Sequence, residues 1–284
     1  QQRGESMKRT NKIIAVAAVV MSIGVIVWIV GMSLIGWNFS QLDSTKYTAK
    51  SYACKSEVKS ISVSLSSFPL TVKKGDSVSL DYYESDNSEV VVEEKDGVLS
   101  VVENYTYNPF IGGLFNVGRL SHKFTLTVVS GVKLEIKGNN SDVSIADITL
   151  DEFLIDSTNT DISLTRVQCG KLNIDTTNCD IDMNDCKATE LIVDTTNLDM
   201  TIKNCEFKSV AIDSTNADCD LERVKLDKLS IDATNLDADI KIVGIASEYT
   251  VKTKGRSMPP NRTGTTDKLI ELSGTNNDVE LSFV

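Results

Sequence analysis

The sequence predicts an all-β protein, a parallel β-helix or solenoid with rungs of about 19 residues, preceded by one N-terminal transmembrane helix. Three observations carry that expectation. The run IIAVAAVVMSIGVIVWIVGMSLIGW, Ile13 to Trp37, contains no charge. Five consecutive segments then begin at Phe153, Leu172, Leu191, Val210 and Leu229, each 19 residues after the last. Within each segment, apolar residues alternate with polar ones at period two.

As a helix, the apolar run would be about 37 Å long, enough to cross a hydrocarbon core of about 30 Å with some tilt. A cleaved signal peptide carries a shorter apolar core and a small-residue cleavage site, so residues 13–37 are read as an uncleaved anchor. Trp37 falls at the far end of that span, where an indole favours the headgroup boundary. Arg3, Lys8, Arg9 and Lys12 crowd the N-terminal flank, whereas the first basic residue beyond the span is Lys46. Positive charge is retained inside, so residues 1–12 are expected to be a short cytoplasmic tail and the bulk of the chain extracellular, on a single-pass cell-membrane anchor. Residues 38–57 read as a polar linker.

Residues 58–133 hold short alternating stretches such as ISVSLSSFPLTV, SEVVVEE and KFTLTVV, separated by the turn signals KKGD, ESDN and EKDG. This region is expected to cap the solenoid's first open edge, whose unpaired backbone groups otherwise invite aggregation. Its apolar loop, Tyr107 to His122, is read as part of that cap rather than as a binding loop. Residues 134–284 are expected to be the solenoid itself, with LEIKGNNSDVSIADITLDE from Leu134 and IELSGTNNDVELSFV from Ile270 as end rungs. A fixed short period means stacking of one unit on the next. The pairs Phe153/Ile155, Ile162/Leu164 and Val167/Cys169 mark three short strands per rung with one face buried. The insertion from Gly255 to Asp267 is a second candidate for contact with partners.

Each rung carries D-[STA]-T-N-x-D at its first corner. Asp156, Asp175, Asp194, Asp213 and Asp232 form one column, Asn159, Asn178, Asn197, Asn216 and Asn235 a second, and Asp161, Asp180, Asp199, Asp218 and Asp237 a third. Neighbours in a column should lie about 4.8 Å apart. Two readings follow. Asp and Asn can hydrogen-bond the turn backbone while stacked asparagines bond along the column. Alternatively, the ten aspartates form a weak cation ladder, with Ca²⁺ as the candidate ion, because hard cations want several oxygen ligands. Two carboxylates at that spacing repel by about 0.9 kcal/mol in water, so the column is tolerable without metal. The turn reading is preferred, and no other cofactor is indicated.

Charge and composition remove other classes. The 284 residues hold 29 Lys and Arg against 40 Asp and Glu, a formal charge of -11, and one histidine, His122. Nucleic-acid affinity comes mostly from basic residues displacing counterions, so nucleic acid is not an expected partner. A single imidazole rules out any site needing two. Six cysteines without a CxxC pair indicate no zinc or redox motif. Cys186 and Cys205 share the fifteenth repeat position, at a separation that disulfide geometry permits. Valine fills that position in the other three units, so these thiols, with Cys169 and Cys219, are expected to be buried and free; Cys179 is placed in the turn and Cys54 alone near the membrane. Arg166 and Arg223, three rungs apart, are the unusual inward or grooved charges, and no unique acid, base and cation cluster breaks the repeat, so no enzyme is expected.

The anchor, the strand-rich segment SISVSLSSFPLTVKKGDSVSLDYYESDNSEVVVEEKDGVLSV, the lead-in LTVVSGVKLEIKGNNSDVSI and the reiterated I-D-x-T-N-x-D rungs together resemble the bacterial putative-adhesin family with β-strand repeats, a domain of unknown function. The resemblance covers about residues 58–284. Many relatives carry glycine where this chain has Thr160, Cys179, Leu198, Ala217 and Leu236. The resemblance implies surface or envelope association and supplies no site residues. The function expected is a non-enzymatic, membrane-anchored surface module that binds or scaffolds, with a cell-wall polymer or envelope protein as partner and self-association through the solenoid edge as a further option. An envelope-stress regulatory or sensing component, or a calcium-dependent surface module, is the alternative.

Overall fold

The computed structural model describes residues 2–34, 36–37, 46–66, 68–106, 122–140 and 142–284. The Tyr107 loop expected to cap the core falls at 107–121, outside the described residues. The chain divides into two compact units, one containing the helix and the other all the strands.

Helix α1 (Gln2–Leu34) starts well before Ile13, where the apolar run begins. Its segment Val16–Leu34 has mean hydropathy 2.4 and is only 6% buried. An apolar helix whose side chains are mostly exposed needs another apolar phase, which makes α1 a candidate membrane anchor or signal sequence. The helix ends three residues short of the expected Trp37. Gly36 and Trp37 both adopt left-handed backbone, φ 61° and 59°, and the Trp37 amide donates to Met32 O at 2.8 Å, closing the last turn. The Trp37 indole meets Trp28 edge to face, with ring centres 5.7 Å apart.

The second unit starts with β1 (Tyr47–Ala53), in the segment read as linker. Its polar surface hid it, because β1 is an edge strand that is largely exposed and pairs antiparallel with β4. There follow β2 (Ser60–Leu65), β3 (Leu70–Lys74), β4 (Ser79–Ser85), β5 (Ser88–Lys95), β6 (Val98–Tyr105) and β7 (Phe124–Val128). The turn after β1 is held by Glu94 of β5, which accepts from the Lys55 amide at 3.0 Å, the Ser56 amide at 2.8 Å, the Tyr52 hydroxyl at 3.1 Å and the Ser56 hydroxyl. These donors, Ser56 first, hold the Glu94 carboxyl down at about 2. A carboxyl depressed in the folded state contributes stability above its unfolded value of 4.5 and loses it as pH falls towards 2. Thermal melts of wild type and Glu94→Gln across that window should therefore converge as pH falls. A gap that stays constant would refute the assignment.

The rungs run from β8 (Val132–Asn140) and β9 (Val143–Ala146) through β10 (Thr149–Thr165), β11 (Gln168–Asn184), β12 (Lys187–Lys203), β13 (Glu206–Val224) and β14 (Lys228–Ile242) to β15 (Tyr249–Lys254) and β16 (Lys268–Phe283). Parallel pairs join Phe153 to Leu172, Leu172 to Leu191, Leu191 to Val210 and Val210 to Leu229, giving a β-solenoid-like stack. Three short strands per rung were expected, but each of β10 to β14 is one long strand bent at corners. The rungs of β10 to β13 bend at equivalent residues and the ladder continues around them, whereas the β13–β14 ladder shifts register between Leu221 and Val224. The first corner is the Thr-Asn step, where Thr158 and Asn159 are both exposed and alternation breaks. The second is a column of left-handed residues, Asp147, Arg166, Asp185, Asn204 and Arg223, with φ between 52° and 58°. At the third, the ladder skips Asp151 and Gly170.

Two expectations about the ends of the stack change. The rung starting at Leu134 is not terminal, since β2 pairs with β8 and β3 with β9, extending the ladder into residues 58–133. Beyond them, β6 and β7 pair with β2 and β3, and antiparallel β4 and β5 connect the two sides. At the other end, β16 continues from β14, while β15, which precedes it in sequence, lies on its far side.

Arg166 and Arg223, read as inward or grooved, are exposed at the second corner instead. Arg166 forms a two-pronged pair with Asp147 on the preceding rung, at 2.5 and 2.8 Å. A left-handed backbone costs a residue with a Cβ about 1–2 kcal/mol, and asparagine tolerates it best after glycine. Arg223→Asn is accordingly expected to raise stability by up to about 1 kcal/mol, read from the urea midpoint at unchanged slope.

Candidate functional site

The Thr-Asn corner builds the site. Thr176, Thr195 and Ser214 turn inward and are buried, and the Thr176 hydroxyl donates to Thr195 Oγ1 at 3.1 Å. Two residues on, the asparagines point out, and each side-chain amide donates to the Oδ1 of the rung before. Asn159 donates to Asn140 at 3.0 Å, Asn178 to Asn159 at 2.6 Å, Asn197 to Asn178 at 2.6 Å and Asn216 to Asn197 at 2.7 Å. Asn235 and Asn276 continue the series at 2.6 and 2.8 Å. This is the asparagine ladder expected from the repeat. Each bond uses one amide N–H and one acceptor lone pair, leaving a second of each facing outward.

The next residue turns in again: Thr160, Cys179, Leu198, Ala217 and Leu236 are all buried. Cys179, placed in the turn by the sequence, is thus a core residue, and its thiol donates to Thr160 O at 3.0 Å. Burial pushes that thiol up to about 12. The six thiols are free.

The Asp161 column follows, exposed, and with the asparagines it walls a groove of about 520 Å³ across rungs 178 to 278. Asp180, Asp199, Asp218 and Asp237 form one wall, Asn178, Asn197, Asn216 and Asn235 the other, and the inward residues the floor. A second trough of about 440 Å³ lies on the far side of the same aspartates, reaching from Asp142 to Thr201 beside Pro69 and Leu70. The Asp156 column is exposed outside both. The ten candidate aspartates are therefore two separate files: the Asp161 column lines both concavities, whereas of the Asp156 column only Asp232 borders one, a smaller pocket of about 290 Å³ beside Lys252 and Lys254.

Burial raises the carboxyls of Asp161, Asp180 and Asp218 above the ordinary value, with repulsion from neighbours in the column second. Among the described residues, the Asp161 column has no salt bridge. Several basic side chains of the rungs pair elsewhere: Lys187 and Lys225 flank Glu206 at 3.0 Å, Lys133 meets Glu152 at 2.7 Å and Lys252 meets Glu271 at 2.9 Å. Also among the described residues, no three His, Cys, Asp or Glu side chains converge where a metal ion could sit. His122 stacks on Tyr47 with ring centres 4.2 Å apart and meets Tyr83 edge-on at 4.7 Å. Sequence reasoning missed Asp142 and Asp278, which extend the column. They stand after the asparagines in GNNSD and GTNND, the signal that would have found them.

Stacked parallel rungs, a polar ladder and a continuous groove define a β-solenoid-like repeat domain. Residues 58–257 match the model of the Toastrack DUF4097 family, and the chain belongs to that family. Among solved structures, it is similar to a putative adhesin from Bacteroides fragilis at 14% identity and TM-score 0.49, over 84% of this chain and 97% of that one. It is likewise similar to a putative adhesin from Parabacteroides distasonis at 15% identity and TM-score 0.46, over 84% and 97%. No curated protein matches the chain.

Proposed function

We propose that this protein is a non-enzymatic, membrane-anchored module of the cell surface that binds or scaffolds a linear polymer laid along the Asn–Asp groove. One observation carries the reading: the groove presents the same carboxylate, amide and apolar floor on successive rungs. Repetition every ~4.8 Å suits a repeating ligand, and each further rung engaged adds avidity. Catalysis needs a unique cluster instead. The unpaired carboxylates set the sign of the ligand, so a chain of amino sugars carrying free amines fits where an anionic polymer does not. An extended pyranose chain advances by close to one rung per sugar, whereas equivalent side chains of an extended peptide recur every ~6.6 Å and drift out of step. Calcium acts in this reading as a diffuse counter-ion of the Asp161 column. The basic flank of α1 supports an N-terminus in the cytoplasm and the β unit outside.

The test uses full-length protein in detergent and glucosamine oligomers of increasing length. Affinity should climb with length and fall with salt. The triple variant Asp180→Asn, Asp199→Asn, Asp218→Asn should lose at least tenfold, while Asp175→Asn, Asp194→Asn, Asp213→Asn, the same charge change outside the groove, should bind normally. Equal losses in both would mean diffuse electrostatics and sink the groove reading, as would affinity independent of oligomer length.

A further inference from the structure

Cys186 and Cys205 are the one stacked pair among the six thiols. The neighbours of Cys179 in its column are Thr160 and Leu198, those of Cys219 are Met200 and Ala238, and those of Cys169 are Leu150 and Ala188. Cys186 and Cys205 instead follow two left-handed corner residues, Asp185 and Asn204. In-register pairs bracket them, Asn184 with Lys203 and Lys187 with Glu206. Adjacent rungs hold their Cα atoms about 5 Å apart, inside the span a disulfide bridges. The Cys186 amide donates to Cys205 Sγ at 3.2 Å, which places that sulfur over the Cys186 backbone. Both side chains are 2% exposed, with valine at the same place in neighbouring rungs, Val167 and Val224.

We propose that Cys186 and Cys205 are a peroxide-oxidised pair that forms a reversible staple between adjacent rungs of the solenoid. The Cys186 thiolate attacks one oxygen of hydrogen peroxide, breaking the O–O bond; the sulfur becomes a sulfenic acid and hydroxide leaves. Cys205 sulfur then attacks the Cys186 sulfur, forming the S–S bond and expelling the sulfenyl oxygen. Overall, two thiols and one peroxide give one disulfide and two waters. The oxidant must be small because both sulfurs are buried. Interaction with the Cys205 side chain lowers the pKa of the Cys186 thiol, favouring it as the attacking sulfur, whereas the same interaction and burial raise that of Cys205. The product closes a loop between consecutive rungs and so restricts the unfolded chain. It is independent of the groove and of what the groove binds.

The experiment treats full-length protein in detergent with hydrogen peroxide, then digests it without reductant and maps the peptides. A Cys186–Cys205 cross-link, two hydrogens lighter, is expected, together with a melting temperature several degrees higher that returns to its starting value on adding reductant. Cys186→Val and Cys205→Val should each fold, since valine already fills this position in neighbouring rungs, and should show neither the link nor the shift. Oxidation to sulfinic acid without a link, a link to another cysteine, or no change at either sulfur would overturn the proposal. So would an equal melting shift in the valine variants.

Discussion

Phe153→Ala is expected to remove about 3–5 kcal/mol of stability. The ring is 0% exposed and opens the first strong rung, paired with Leu134 on one side and Leu172 on the other. Removing it leaves a cavity that neither neighbour can fill, because both belong to ladders fixed by backbone hydrogen bonds. The position also joins β8, and through it the strands of the N-terminal end, to the regular repeats. A stack of units that contact only their neighbours depends on each interface in turn. The midpoint of urea unfolding should drop, and the two halves of the ladder should lose coincidence when followed by separate probes. Leu154→Ala, one residue on and facing outward, is the control and should change stability by less than about 1 kcal/mol. If the two variants behave alike, the inward assignment of Phe153 is wrong.

That assignment was legible in the sequence because its signal is period-two alternation of large apolar residues. The asparagine column was legible for a related reason, since a polar residue returning at a fixed interval has to stack on itself. Legibility fails where the local chemistry imitates something else. Thr176 and Thr195 read as turn residues beside an asparagine, yet they face inward and satisfy their hydroxyls within the ladder. Arg166 and Arg223 occupy left-handed corners that usually announce themselves as glycine, so the second corner gave no signal. Strand β1 is polar because only one edge of it is paired. The groove itself was hidden, since both aspartate columns look alike in sequence and only the path of the chain around the corner separates them.

Gly274→Thr sets the repeat pattern against the structure. The equivalent positions on earlier rungs are Thr176, Thr195, Ser214 and Ala233, so pattern alone would forecast a gain of about 0.5–2 kcal/mol from restoring the common residue. The rung of β16 is arranged differently. A Cβ at Gly274 would lie 2.5 Å from Ala233 O and would collide with Asn277 Oδ1. Asn277 occupies the space that a side chain at position 274 would need, and its amide donates to Arg256 O at 3.3 Å. The Val279 amide donates to Ser257 O at 3.1 Å, so the same rung holds the 255–267 insertion across its outer edge. Threonine would have to displace Asn277 and shift the Ala233 backbone, which is expected to cost about 1–3 kcal/mol. Adding Asn277→Leu should recover only part of the loss, because it leaves the clash with the Ala233 carbonyl. Thermal melting of the single and double variants separates the two forecasts. A more stable Gly274→Thr would mean that the β16 rung closes like the others, whereas loss in the single variant with partial recovery in the double means that the glycine is what lets the insertion pack across this rung.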